Sequence, residues 1–415
     1  MRRWLRELTE PPTARRRPIE PGILAAAAEI VEDVRDRGES ALRSHSERLG
    51  DLSPGDPIVL ERPDLDRALE AVSEEQRQLL GRVAGRISHF AAEQRRTLVD
   101  LEVKVTGGRA GHRWIPVATA GAYAPGGRHP LPSSLLMTVI PARVGGVDTV
   151  WAASPRPTPV TLAAAATAGA DGLLAVGGAQ AIAALAFGTV SPACDLIVGP
   201  GNLWVTAAKK HLYGEVGIDG LAGPSEILVI ADDQADPILV AADLLAQAEH
   251  DTEAMPILIT TSQLLLEQVE DAITGQLSDL PTSATASAAL ENGFALVVDS
   301  LADAARVSDQ IAPEHLALHV EDPDDLVGSL ASYGSVFVGK SSAETFADYG
   351  MGPNHVLPTA GGARFQSGLS VLTFLRSPTW SRVDDPTKLV EDTMHLARLE
   401  GLEAHARAAQ YRLGQ

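Results

Sequence analysis

Apolar residues recur at intervals of three and four between about residue 22 and residue 100, as in GILAAAAEIVEDVRDRGESALRSHSERLG. This spacing places apolar side chains on one face of an α-helix, and the glycine that closes the run is a common helix end. The pattern predicts a group of amphipathic helices. Because such a helix must bury its apolar face, we expect these helices to cover another part of the protein.

From about residue 115 the pattern changes to short apolar runs that stop at Gly, Ser or Asp, namely DTVWAAS, GLLAVGG, CDLIVGPG, EILVIADD, PILITTS, FALVVDS and SVFVGK. Most of them precede an Ala- and Leu-rich segment of helical length. This alternation is typical of βαβ units in a mostly parallel sheet that helices cover on both faces. So many strands favour two sheets, with a break near the Gly-Pro turn of GLAGPSEILVIADD. After residue 370 the strand signal disappears, and the sequence predicts a helical tail.

The composition is that of a globular protein with room for two or three domains: 415 residues, of which 45% are hydrophobic and 21% charged. A formal net charge of −20 argues against a nucleic-acid partner, because nucleic-acid binding depends on clustered Lys and Arg. It suits a small cationic or neutral substrate better.

Cys194 is the only cysteine, so an intramolecular disulfide and a multi-cysteine zinc site are both excluded. This favours a cytoplasmic protein. The apolar stretches are shorter than the roughly 20 residues that span a bilayer, so we expect no membrane contact. The Arg-rich N-terminus has no apolar core of a signal peptide, and Glu7 and Glu10 argue against a transit peptide. We interpret it as an exposed arm that docks on a partner subunit.

Two glycine-rich segments follow predicted strands, GGAQAIAALAFG at 177–188 and GPGNLWVTAAKK at 199–210. Ligands of open α/β sheets bind at the carboxyl ends of strands, where Gly allows close approach and a helix N-terminus offers free N–H groups. Neither segment matches the G-x-G-x-x-G fingerprint. A nucleotide site and an ordinary tight turn both remain open.

Several His and acid residues could form a reactive site. Glu314 and His315 are adjacent in QIAPEHLALHV, where one carboxylate and one imidazole could share proton transfer. Scattered N and O donors elsewhere could bind one Zn²⁺ ion; they are Gln247, His250, Asp348 and His405. A polar helix end at Gln247 and His250, without any metal, is the alternative.

Taken together, these segments resemble the histidinol dehydrogenase family over roughly residues 115 to 410. The motifs that carry the resemblance stand in the order that the family has: VGGAQAIAALAFGT, GPGNLWVTAAKK, IDGLAGPSEILVIADD, DLLAQAEHD, IAPEHLAL, DYGMGPNHVLPT, SGLSVLTFLR and ARLEGLEAHARAA.

The resemblance implies an α/β fold with two incomplete Rossmann-like domains and parallel-rich sheets. The predicted parts are an N-terminal arm (1–20), a first Rossmann-like domain with covering helices (21–114 and 226–368), a second Rossmann-like domain (115–225), and a helical tail exchanged in a homodimer (369–415).

The resemblance also implies roles for individual residues. NAD would be bound by Tyr123, Gln180 and Asn202. The zinc ligands would be Gln247, His250, Asp348 and His405, with His405 coming from the partner's tail. The i, i+3 spacing of Gln247 and His250 would place both on one helical face. The substrate would be contacted by Ser225, Gln247, His250, Glu314, His315, Asp348, His355, Glu400 and His405, and the acid/base pair would be Glu314 and His315.

The implied reaction is a zinc-dependent, four-electron oxidation of the amino alcohol L-histidinol to L-histidine through the aldehyde, with two NAD⁺ reduced, as part of histidine biosynthesis. His315 would take the alcohol proton and Glu314 would activate water for the second step. Three residues depart from the family pattern: Leu131, Ala317 and Pro353. They leave two alternatives open, a related enzyme that oxidises another alcohol, such as a sulfonated diol or a natural-product intermediate, and a zinc- or nucleotide-binding protein without catalysis.

Overall fold

The protein is described here by a computed structural model, which covers residues 3–12, 19–126 and 130–413. The predicted N-terminal arm and the extreme C-terminus therefore lie partly outside the described residues. The α-helices are α1 (Pro21–Arg37), α2 (Glu39–Arg48), α3 (Arg62–Ala71), α4 (Glu74–Arg96), α5 (Pro132–Gly145), α6 (Pro159–Ala168), α7 (Gly178–Phe187), α8 (Leu203–Leu212), α9 (Pro237–Ala248), α10 (Gln263–Leu277), α11 (Ser283–Leu290), α12 (Leu301–Ile311), α13 (Pro323–Val327), α14 (Glu344–Asp348), α15 (Thr387–Leu399) and α16 (Glu403–Gln410).

The strands are β1 (Arg6–Leu8), β2 (Val59–Glu61), β3 (Leu101–Val105), β4 (Gly108–His112), β5 (Ile115–Pro116), β6 (Thr119–Tyr123), β7 (Thr149–Ala153), β8 (Gly172–Leu174), β9 (Leu196–Val198), β10 (Gly217–Ile218), β11 (Glu226–Ala231), β12 (Met255–Thr260), β13 (Phe294–Val297), β14 (His315–His319), β15 (Ser335–Val338), β16 (Leu375–Arg376) and β17 (Thr379–Val383). Two short 3-10 helices occupy Gly362–Arg364 and Val371–Phe374.

Two six-stranded sheets form the centre of the fold, which confirms the predicted α/β class with parallel-rich sheets. Sheet 1 has the order β10-β9-β6-β7-β8-β2, and only β2 runs antiparallel to its neighbour. Sheet 2 has the order β1-β13-β12-β11-β14-β15 and is parallel throughout. In β11 the alternate residues belong to two different apolar clusters, as expected for a strand that helices cover on both faces.

The helices between residues 21 and 96 cover sheet 1, whereas the sequence led us to group them with the strands of sheet 2. They pack on the helices of sheet 1: α1 on α7 and α8, α3 on α6, and α4 on α5. The reason lies in the inner helices. Most residues of helices such as α6 (PVTLAAAATA) and α7 (GAQAIAALAF) are buried, and a helix that is apolar on most sides needs a second layer outside it.

The N-terminus also differs from the predicted exposed arm. Its residues Arg6–Leu8 form β1, which adds a parallel edge strand to β13, and Leu5 is buried in the core of sheet 2. The Glu270 carboxylate accepts the backbone N–H groups of Trp4 (2.6 Å) and Leu5 (2.9 Å). Burying a leucine and pairing these N–H groups both stabilise the strand on the sheet.

The predicted helical tail begins with strands. β16 pairs with β5, and β17 pairs with β4 in a three-stranded antiparallel sheet with β3. The helices α15 and α16 follow and pack on each other. Within residues 3–12, 19–126 and 130–413, no helix has both the length and the apolar character needed to cross a membrane.

We predict that Leu5→Ala lowers the free energy of unfolding by about 2–5 kcal/mol, because it removes a buried side chain from the edge of sheet 2. The matched control is Leu79→Ala on α4, whose side chain is 51% exposed compared with 2% for Leu5. Urea unfolding followed by circular dichroism measures both. An equal, small effect of the two substitutions would show that the first strand does not contribute to the folded domain.

Candidate active site

The two sheets meet at opposite kinds of edge. Residues 219–225 lead from the carboxyl end of β10 in sheet 1 directly into the amino end of β11 in sheet 2. Hydrogen bonds hold the carboxyl edge of sheet 1 against the 354–360 segment, which lies at the amino edge of sheet 2 because the N–H of Ala360 donates to the carboxylate of Glu226. Contacts across this junction include the Thr206 hydroxyl on α8, which donates to the carbonyl of Ala222 at 3.0 Å, and the Asn354 amide, which donates to the carbonyl of Met137 at 2.6 Å.

Glu314 and His315 lie where β14 begins, at the amino edge of sheet 2, and both are buried. The general expectation that functional residues follow strands therefore fails for this sheet. Oε2 of Glu314 accepts the backbone N–H of Glu226 at 2.9 Å. Burial raises the pKa of Glu314 well above its usual range, and the carboxylates of Glu226 and Asp348 raise it further.

The hydrogen bonds of His315 define its tautomer. Its Nδ1 lies 3.1 Å from Oε1 of Gln247 and 3.3 Å from the backbone carbonyl oxygen of Glu226. Both partners are acceptors, so Nδ1 carries the proton and donates. Burial lowers the pKa of His315 to about 3, which keeps the ring neutral at neutral pH. Its Nε2 is buried and has no hydrogen-bond partner among the described residues, so this nitrogen retains a lone pair that can accept a proton.

An acid cluster lies beside this histidine. One ligand atom each from His250, Glu344 and Asp348 lies within 4.8 Å of the others. Burial raises the pKa of Asp348 to about 6 and that of Glu344 well above its usual range. Buried carboxylates this close together are costly unless a cation or protons neutralise them, so the cluster fits a bound metal ion.

Glu344 is the member that the sequence reasoning missed. It begins α14, and Asp348 ends the same helix four residues later. Residues at i and i+4 share one helical face, so the segment ETFAD did contain a usable signal. That signal was weak because acids at this spacing are common on solvated helices.

The sequence suggested that Gln247 and His250 lie on one helical face. They do not, because α9 ends at Ala248 and His250 lies in the following turn. The backbone N–H of His250 donates to the carbonyl of Gln247 at 3.3 Å, which keeps the two residues adjacent. Gln247 is buried, and its Nε2 has no hydrogen-bond partner among the described residues. A buried amide whose nitrogen has no hydrogen-bond partner is consistent with a further ligand at this position.

His355 and Ser225 lie at the same edge. Nδ1 of His355 donates to the backbone carbonyl of Asp348 at 3.1 Å, and its Nε2 lies 3.5 Å from the hydroxyl of Ser134, in the first turn of α5. Burial lowers the pKa of His355 to about 4. Ser225 directly precedes β11 and is half-buried. Both residues therefore reach the junction between the sheets.

Glu400 and His405 are not brought to this junction by their own chain. Both are exposed on the helical tail, and the metal-compatible group found within residues 3–12, 19–126 and 130–413 does not include His405. The tail instead follows the β3–β4 hairpin: the backbone N–H groups of Asp384 and Asp385 donate to the carbonyl of Gly107.

Tyr123, Gln180 and Asn202 gather at the carboxyl edge of sheet 1. The Tyr123 hydroxyl accepts the N–H of Gly178 at 3.2 Å, and the Gln180 amide donates to Asp51 at 3.1 Å. Oδ1 of Asn202 caps α8 by accepting the N–H groups of Trp204 and Val205. Tyr123 ends β6, Gln180 follows β8 and Asn202 follows β9, so the three residues lie at the kind of edge where open α/β sheets bind nucleotides.

The GPGN turn at this edge requires glycine. Gly199 has a φ of +113°, and a Cβ there would lie 2.1 Å from the carbonyl oxygen of Tyr123. Asp219 accepts the N–H of Gly199 at 2.6 Å and forms a buried ion pair with Lys209. The turn is therefore held by the protein's own carboxylate, although it lacks the dinucleotide fingerprint.

Comparison with known proteins gives matches to one family over nearly the whole chain. The sequence model of the family described as histidinol dehydrogenase matches residues 14–413. The histidinol dehydrogenase of Parasynechococcus marenigrum is 45% identical over 395 residues, covering 92% of this chain and 90% of the relative. That of Haloarcula marismortui is 44% identical over 392 residues and covers 92% of each chain.

A crystal structure of the histidinol dehydrogenase from Elizabethkingia anophelis matches the fold with a TM-score of 0.92 at 33% identity, covering 100% of this chain and 99% of that one. These findings confirm the predicted family and the predicted dehydrogenase class. The chain belongs to the histidinol dehydrogenase family.

Proposed function

We propose that this enzyme oxidises L-histidinol to L-histidine in two NAD-linked steps at a zinc site. The observation that carries the proposal is the neutral, buried His315 with an unpartnered Nε2, next to Glu314 and the group formed by His250, Glu344 and Asp348. The relatives that match nearly the whole chain are histidinol dehydrogenases, which supports L-histidinol as the substrate.

The reaction balances as RCH₂OH + 2 NAD⁺ + H₂O → RCOO⁻ + 2 NADH + 3 H⁺. In the first step, Nε2 of His315 takes the hydroxyl proton while the carbinol carbon gives up a hydride, which forms the aldehyde. In the second step, Glu314 takes a proton from water as it adds to the aldehyde, the resulting hydrate anion passes its hydride to the second NAD⁺, and ionisation of the carboxylic acid product releases the third proton. A carboxylate with a raised pKa is a stronger base once ionised, which suits Glu314 to this role.

The donors at the junction fit zinc, which binds imidazole nitrogen and carboxylate or amide oxygen. Gln247, His250 and Asp348 would hold the ion, and Glu344 belongs to the same group of buried carboxylates. When bound, zinc supplies a positive charge and open coordination positions that fix the imidazole and amine of the substrate. The chain's own residues would then orient the carbinol toward His315.

NAD would lie along the carboxyl edge of sheet 1, against Tyr123, Gln180 and Asn202. This edge faces the amino edge of sheet 2, so the nicotinamide and the carbinol would meet at the junction. Ser225 and His355 border the same space and would contact the substrate.

We further propose a homodimer in which the tail of one subunit completes the site of the other with Glu400 and His405. Large apolar side chains stay exposed on both surfaces that would meet. The tail exposes Leu396, Leu399 and Leu402, and the neighbourhood of Asp348 exposes Phe346, Tyr349 and Met351. Unburied apolar surface beside an incomplete ligand set favours contact with a second copy.

Oxidation of a different alcohol by a related enzyme is the second candidate. It is supported by Leu131 and Pro353, which depart from the family pattern and lie close to Ser134 and His355 in the chain. The third departure, Ala317, is buried in the middle of β14 and lies outside the junction.

We expect zinc-loaded enzyme to produce two NADH for each histidine formed from L-histidinol. The measurement is the NADH absorbance, with histidine quantified by chromatography in the same sample. A chelator-treated sample is the control. Folded, zinc-bound protein that leaves L-histidinol unchanged would instead favour the second candidate function.

Glu314→Gln is expected to slow the aldehyde step by about 10²–10⁴-fold and to spare the alcohol step, because Gln cannot accept a proton from water. Stopped-flow NADH formation from histidinol and from the aldehyde separates the two steps. Glu321→Gln, an exposed position just after the far end of β14, is the matched control. An equal loss in both steps would remove the separate role of Glu314 with water.

Mixing inactive His250→Asn and His405→Asn subunits should restore part of the activity, because a mixed dimer has one site with both histidines intact. His395→Asn, exposed on the same tail, should retain activity as a single variant. Native mass spectrometry confirms that mixed dimers form. Mixed dimers without activity would contradict the shared site.

A further inference from the structure

A second buried histidine–carboxylate pair lies outside the site described above. His319 ends β14 and Asp243 lies within α9, and Nε2 of His319 is 2.8 Å from Oδ2 of Asp243. Both residues are buried, with exposures of 5% and 8%. Neither is a predicted ligand, substrate contact or acid/base residue, and neither belongs to the metal-compatible group.

This pair joins the same two elements that carry the site. α9 follows β11 and returns toward the amino edge of sheet 2, so it runs antiparallel to β14, which is parallel to β11. Near the amino edge, Gln247 on α9 contacts His315 at 3.1 Å. Near the carboxyl end of β14, Asp243 contacts His319.

The residue spacing places both contacts between one face of β14 and one face of α9. His315 and His319 are four residues apart on a strand, so they point to the same side of sheet 2. Asp243 and Gln247 are four residues apart on a helix and share one face. The position between the two histidines on that face is Ala317, which offers no polar group. The polar contacts between this face of β14 and α9 are therefore the two at its ends.

Two polar contacts restrict the position of α9 on β14 more than one contact does. Apolar packing on β11, β12, α10 and α11 holds α9 against the sheet, and within that packing a single polar contact at Gln247 would fix only one point of the helix against a small rotation or slide. The second contact resists that motion, because a buried carboxylate without its partner is costly. The last turn of α9 leads directly into His250, so the placement of this helix also decides where the His250 imidazole lies relative to Glu344 and Asp348.

We propose that Asp243 and His319 are positioning residues that hold α9 on β14 in the one placement where Gln247 meets His315 and His250 meets Glu344 and Asp348. By holding that placement, they set the affinity of this group for a divalent cation. The inference rests on the proposed function only in assuming that a metal binds at this group.

The test measures zinc affinity in the full-length protein, by competition with a chromophoric chelator, and the visible absorption spectrum of the Co²⁺-loaded protein. His319→Leu removes the partner of Asp243. We expect its Zn²⁺ dissociation constant to rise about 10- to 100-fold, the range seen when groups that orient metal ligands are lost, and its Co²⁺ spectrum to change. His319→Gln keeps an N–H donor for Asp243 and should recover most of the affinity and the wild-type spectrum.

A matched control separates positioning from a general loss of stability. His45 contacts Asp33 at 2.7 Å in the helices that cover sheet 1, so His45→Leu breaks a similar pair away from the site. It should leave zinc affinity and the Co²⁺ spectrum unchanged. If His319→Leu does not fold, the double variant Asp243→Leu/His319→Leu replaces the pair with apolar side chains that tolerate burial, and the same loss of affinity is expected.

The outcomes distinguish this inference from the proposed function. Wild-type protein that binds zinc without oxidising L-histidinol contradicts the proposed function and still allows the positioning role to be measured. Variants that bind zinc as tightly as the wild type, with the same Co²⁺ spectrum but a lower unfolding midpoint, overturn the positioning role and leave a purely structural pair. Folded wild-type protein that binds no zinc overturns both.

Discussion

The hydrogen bond from Nδ1 of His315 to Oε1 of Gln247 is the interaction on which the candidate site depends. It joins the first residue of β14 to the last turn of α9 and fixes the proton on Nδ1. Because burial keeps the ring neutral, the opposite nitrogen is left as a base. The same contact places the chain that continues from α9 into His250 beside the two carboxylates of α14.

The second constraint is the way in which the sheets are connected. A short linker passes from the carboxyl edge of sheet 1 into the amino edge of sheet 2, and hydrogen bonds from α5 and α8 hold the two edges together. The edge of sheet 1 offers polar side chains at the ends of three parallel strands, as nucleotide-binding sheets do. The edge of sheet 2 offers buried acids and imidazoles. A hydride donor and a hydride acceptor can thus be held by separate domains and still meet.

Burial has opposite effects on the titratable groups of this junction. It raises the pKa values of Glu314, Glu344 and Asp348, and it lowers those of His315 and His355. All five shifts disfavour charge, which is costly in a buried environment. A metal ion among the carboxylates would favour their ionised forms and so offset part of this cost. The chemistry and the stability of the site are therefore coupled through the same few side chains.

The local sequence pattern determined the secondary structure class and many of the candidate site residues. Apolar repeats at three and four indicate helices, and short apolar runs that stop at Gly, Ser or Asp indicate buried strands, so the βα alternation and the parallel-rich sheets could be predicted. The residue types alone singled out Glu314, His315 and the possible zinc donors, and the family resemblance gave them roles and added the NAD residues as expectations. The structure places His250 and Asp348 together and gathers Tyr123, Gln180 and Asn202 at one edge.

The tertiary structure alone decided which surfaces meet. It placed the helices of residues 21–96 on sheet 1, turned the N-terminus into an edge strand, moved His250 out of α9, and added Glu344 to the acid cluster. An apolar face does not reveal which partner it will cover, and a polar residue does not reveal whether it will be buried. Both depend on contacts between segments far apart in the chain, which no local pattern encodes.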